Sequence, residues 1–99
     1  QLGTARINAD SLRVFLEDWR LENSTYQIVD GEAKYDPEDK AELGWTPDGD
    51  QDLYDYEIVG ATTNNYAVEI TYSPSGRWLR CENRMSNCCD GTGAVTACP

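Results

Sequence analysis

From Leu2 to Leu21 the apolar positions other than Phe15 fall into two sets at helical spacing. At about 100° per residue, Leu2, Ala5, Ala9, Leu12, Leu16 and Trp19 form one stripe, and Ile7, Val14 and Leu21, seven apart, form a second with Gly3 beside it. Arg6, Arg13 and Arg20 lie between the stripes beside Asp10 and Glu17, three or four residues away. Such a ladder favours the helix by roughly 0.2–0.5 kcal/mol per pair. The pattern predicts a helix over residues 1–23 with more apolar surface than one small domain needs. Its start lacks an N-cap before Gln1, so a helix continuing upstream is expected.

Further along, the period changes to two. Tyr54, Tyr56 and Ile58 alternate with Asp55, Glu57 and Val59, and Tyr66, Val68, Ile70 and Tyr72 with Ala67, Glu69 and Thr71. A third strand runs from Arg77 to about Glu82. The connections, Thr63-Asn64-Asn65 and Ser73-Pro74-Ser75-Gly76, are short enough to make an antiparallel meander. Its apolar face needs a helix as cover, and the Leu2/Ala5/Ala9/Leu12/Leu16/Trp19 stripe is the candidate. The predicted class is α+β: a long N-terminal helix on an antiparallel meander of three to four strands. The parts are the helix at 1–23, a loop at 24–53, the sheet at 54–82 and a cysteine-closed end at 81–98. Within the loop, Asp36-Pro37-Glu38-Asp39 reads as a helix start and Gly44 as its stop, predicting a short helix over 37–43. The 99 residues form one domain with one modest core.

Composition sharpens this picture in three ways. The net charge of −10 is concentrated between Asp30 and Glu57, where eleven Asp or Glu stand against two Lys. That block repels phosphate backbones, so nucleic acid is not expected as a direct partner. Cys81, Cys88, Cys89 and Cys98 are an even set at one end; without Cys-x-x-Cys spacing or any His they predict disulfides and an oxidising compartment rather than zinc. Cys81–Cys88 with Cys89–Cys98, or Cys81–Cys89 with Cys88–Cys98, both avoid the strained vicinal ring. Asp48, Asp50, Asp52 and Asp55 mimic the opening of a calcium loop, but Leu53 and Val59 stand where Gly and Glu are required, so calcium is not expected.

Candidate chemistry is sparse. With no His as a base near neutral pH and no phosphate-cradling context around Gly91-Thr92-Gly93, an enzyme is not expected, and no cofactor is. What remains is the spare stripe Ile7/Val14/Leu21, an exposed apolar strip that asks for a partner helix or for cover by the 24–35 linker.

The run Trp19-Arg20-Leu21-Glu22-Asn23-Ser24-Thr25-Tyr26 resembles the end of the long helix of type IV pilins, where a YRLENGTYP-like run leads into the loop before the sheet. Trp19 replaces the tyrosine there, Ser24 the glycine and Gln27 the proline. Tyr54-Asp55-Tyr56-Glu57-Ile58, Tyr66-Ala67-Val68-Glu69-Ile70 and Ser75-Gly76-Arg77-Trp78 resemble the pilin sheet, and the closing cysteines its disulfide-held C-terminal region, with four where the family has two. The resemblance implies a non-enzymatic subunit of an extracellular filament serving adhesion, motility or a related surface role. It implies an upstream apolar segment of about 20 residues or more, held in the inner membrane before assembly. Its partners would be other copies of itself and minor pilins, with a surface or host receptor as a further possibility. Ile7, Val14 and Leu21 would face neighbouring helices, and the chain lacking that segment would be a soluble monomer. Type II secretion pseudopilins are near relatives by the same resemblance, and an extracellular binding module of the same shape is the reading from another class.

Overall fold

The computed structural model describes residues 2–47, 53–84 and 88–99. Outside them lie Gln1, the side chain of Leu2, and Asp48, Asp50 and Asp52 of the calcium-like spacing. The chain forms helix α1 (Leu2–Asn23) and strands β1 (Tyr54–Val59), β2 (Ala67–Tyr72), β3 (Arg77–Glu82) and β4 (Cys89–Thr92). The four strands make one antiparallel sheet in the order β1-β2-β3-β4. This is the α+β class that the sequence predicts, and the arrangement is pilin-like.

Register fixes which side chains meet the helix. Tyr56 opposes Ile70, Ile70 opposes Leu79, and in the next row Ile58, Val68 and Cys81 line up. These side chains are essentially sealed from solvent. Against them lie Ala5, Ala9, Leu12 and Leu16 of α1, each at most 1% exposed, with Trp19 partly buried at the margin. Two alanines on the contact line let backbone approach sheet, because a larger residue there would hold the two apart. Asn8 is also buried on this side, where its Nδ2 donates to the Tyr56 hydroxyl at 2.7 Å and so satisfies both polar groups.

The expected helix over 37–43 is instead a single turn, with the Asp39 and Lys40 amides both donating to the Asp36 carbonyl. Tyr35 diverts the chain there. Its backbone exchanges two hydrogen bonds of 2.9 Å with Ile58 at the free edge of β1, and its hydroxyl accepts from the Leu43 amide. These tertiary bonds outweigh the few that so short a helix would add. Glu38 completes the edge by accepting from the Tyr56 amide at 2.7 Å. Trp45 then packs edge-on against Tyr56, and its indole N–H reaches Ser11 on the helix at 3.1 Å.

The helix stops at Asn23, and Ser24 takes φ +63° while its amide bonds the Arg20 carbonyl. That left-handed closing position normally selects Gly, and a side chain in it costs roughly 1–2 kcal/mol. Replacing Ser24 by Gly should therefore stabilise the protein by about 1 kcal/mol in chemical denaturation.

Candidate interaction surface

Both flanks of α1 are tied inward, one by Ser11, which accepts from the Trp45 indole, and the other by the arginines and Glu17. Arg6 pairs with Asp90 of β4 at 3.5 Å, and Arg20 donates to the Thr63 carbonyl and to Asn64. The Glu17 carboxylate accepts from the Tyr26 hydroxyl, and the Trp19 indole donates to the Gln27 carbonyl. Arg6, Glu17 and Arg20, which the sequence places in a ladder along the helix, thus hold it to the sheet and to the chain after it. With the sheet side and both flanks engaged, the direction of the remaining side is set.

That side carries Ile7, Val14 and Leu21, exposed by 63%, 60% and 82%, with Phe15 at its margin. Residues seven apart on a helix are about 10 Å apart along its axis, so the three form a narrow seam about 20 Å long. The 24–35 linker, which the sequence offered as an alternative cover, packs elsewhere: Tyr26 and Ile28 are buried in the core, while Leu21 is the most exposed of the three. A depression of about 250 Å³ adjoins the seam at Val14, between Arg13, Glu17, Asp18 and Tyr66.

The opposite, outer face of the sheet is charged and differently organised. Arg80 lies between Glu69 on the neighbouring strand and Glu82 two residues on, bonding both carboxylates. Arg84 approaches Glu82 as well, and the Cys98 amide donates to it at 3.2 Å. The Arg80 hydrogen bond, followed by the Cys98 amide, holds the Glu82 carboxyl below its ordinary range. Sequence reasoning missed this cluster because Arg80 and Glu69 become neighbours only through the β2–β3 register. Asn8 was missed as well, although it lies three residues from Ala5 and four from Leu12, within the buried sector.

The cysteines pair as Cys81–Cys88 and Cys89–Cys98, the first of the two patterns left open by spacing. Cys81 is wholly buried on the helix-facing side, so its bridge fastens the chain end to the core. Cys89 opposes Arg80 at the outer face, and its bridge draws the tail back toward Glu82. Among the described residues no group of three or more His, Cys, Asp or Glu could hold a metal ion, and Asp55 of the calcium-like spacing sits exposed on β1. No helix among them is long and apolar enough to cross a membrane. Comparison with protein-family models, curated proteins and solved structures finds no match.

Removing Cys89 and Cys98 together should lower stability by about 2–3 kcal/mol, the value for loops of this size. Removing Cys81 and Cys88 should cost more, because a core side chain is lost too; denaturant titrations of the two double variants test the order.

Acidity acts in two directions. Burial raises the carboxyls of Glu38 and Glu57 above their ordinary range, so the fold binds their protons more tightly than the unfolded chain does. Their protonation therefore adds stability as pH falls from neutral. The lowered Glu82 contributes stability above the ordinary carboxylate range and loses it as pH falls through its own, lower range. Unfolding free energy against pH should peak on the acid side of neutral and then drop. Glu82→Gln should reduce stability at neutral pH and flatten that drop.

Proposed function

We propose that the chain is the head and lower helix of a filament subunit of the type IV pilin kind, assembling with copies of itself through the Ile7/Val14/Leu21 seam. The observation carrying this reading is that α1 is held to its own domain along one side and both flanks, yet presents a straight apolar seam on the other. A pocket binder would gather its apolar groups into a concavity, whereas a seam of this length and narrowness suits another helix lying alongside.

Magnitudes set the role of the seam. Fully burying three side chains of this size contributes roughly 1.5–3 kcal/mol each. Association removes freedom worth an estimated 4–15 kcal/mol. The seam's total, roughly 4.5–9 kcal/mol, only reaches the lower part of that cost, so the seam alone is at best a marginal hold and an apolar upstream extension of the same helix would supply the rest. On this reading the seam aligns subunits and the extension binds them, first in the inner membrane and then in the filament core. On the same reading the loop at 24–53 and the disulfide-closed end at 81–98 would lie outside the fibre, with the acidic block facing neighbouring subunits or a surface receptor.

The test uses the full-length protein in its host. Changing Ile7, Val14 and Leu21 together to Ser should abolish filaments seen by electron microscopy. The isolated domain carrying the same changes should keep its stability within about 0.5 kcal/mol, since exposed side chains away from special features rarely matter more. Filaments at wild-type number and length in that variant would overturn the reading.

A further inference from the structure

Where the helix gives way to the loop, the chain reads Asn23-Ser24-Thr25. This is the acceptor pattern for N-linked glycan, an Asn followed two residues later by a hydroxyl, with no proline between. We infer that Asn23 is a glycan attachment site. The same residues also serve the turn, Asn23 donating to the Trp19 carbonyl and Thr25 accepting from the Gln27 amide, so the acceptor pattern is built into the helix exit itself.

Three features of the fold support the assignment. Asn23 and Ser24 are exposed, and the left-handed turn at Ser24 breaks the helix immediately after the acceptor. The Asn23 amide makes one hydrogen bond, from Nδ2 to the Trp19 carbonyl at 2.9 Å. A glycosylated amide keeps one N–H, so that bond survives modification. Two bridges between the four cysteines require an oxidising, extracytoplasmic compartment, where the chain meets membrane-bound glycosyltransferases.

The site is also placed to spare the helix seam. Two residues along a helix of 3.6 per turn put Asn23 about 160° round from Leu21. A sugar chain there projects away from Ile7, Val14 and Leu21, so it clothes the head without covering the side offered to other subunits.

The donor is a sugar carried on a lipid phosphate. The Asn23 carboxamide nitrogen attacks C1 of that sugar, forming the N–C1 bond as the C1–O bond to phosphate breaks. The lipid phosphate leaves with the electron pair, and one amide proton passes to a base of the transferase. Thr25 supplies the hydroxyl that such enzymes require at the second position after Asn. In the folded chain its Oγ1 accepts from the Gln27 amide at 3.1 Å and donates to the Thr62 carbonyl at 3.4 Å.

The experiment is peptide mapping by mass spectrometry on the disulfide-bonded chain secreted from N-glycosylating cells, before and after amidase release of N-linked sugar in heavy-oxygen water. Most wild-type chains should carry a sugar mass on Asn23, and release should leave a heavy-oxygen Asp there. Asn23→Gln and Thr25→Ala should abolish the added mass, while Thr25→Ser should retain it. An unmodified Asn23 in the secreted wild-type chain would overturn the inference, and so would sugar on the Ser24 or Thr25 hydroxyl, released by alkali but not by the amidase. Occupancy is read on separated chains, so it stands or falls independently of filament formation.

Discussion

The approach of Ala5 and Ala9 to the sheet governs the rest of this molecule. Because these two residues are small, α1 can settle close to β2 and β3, which it contacts directly, and Leu12 and Leu16 then reach into the rows of Ile70, Leu79, Val68 and Cys81. Once that line is fixed, helical geometry fixes everything else on α1. Arg6 and Arg20 come within reach of Asp90 and of the Thr63 and Asn64 turn, Asn8 meets the Tyr56 hydroxyl, and Ile7, Val14 and Leu21 turn outward. The outward face of the helix is thus a consequence of its inward packing.

The two periodicities made the framework legible. A 3.6-residue repeat before Asn23 and a two-residue repeat after Leu53 identify helix and strands, and the short Thr63-Asn64-Asn65 and Ser73-Pro74-Ser75-Gly76 turns leave little freedom in connecting the strands. Less readable were the features that depend on register or on the fate of single residues. The Glu69–Arg80–Glu82 cluster needs two strands aligned, and β4 is a four-residue strand, Cys89–Thr92, containing Gly and no alternating apolar row. The turn at 37–39 carries proper helix-start chemistry, yet Tyr35 and Glu38 are engaged by β1, and tertiary bonds prevail over local preference. Ser24 occupies a left-handed position without being Gly, a departure visible in the sequence only against the pilin-like run around it.

Charge is divided by role. Along the outer face of the sheet, carboxylates are matched by Arg80 and Arg84, and one of them is tied to the chain end through the Cys98 amide. In the 30–57 segment they are left in excess, with only Lys34 and Lys40 against eleven acids. Within the matched set, the Arg80 contacts to Glu69 and Glu82 are part-buried and hydrogen-bonded and contribute to folding, while Arg84 stays largely exposed. The unmatched set gives the domain a negative field that repels other molecules of the same charge.

The sealing of β1 has a consequence for life at high local concentration. Tyr35 and the Glu38 carboxylate engage the Tyr56 amide and both the amide and the carbonyl of Ile58, which would otherwise lie bare along that border. Bare borders are where sheets recruit foreign strands and begin to stack into amyloid. With these groups occupied, the border offers a neighbouring strand few free main-chain partners, so the sheet is guarded on this side against strand addition.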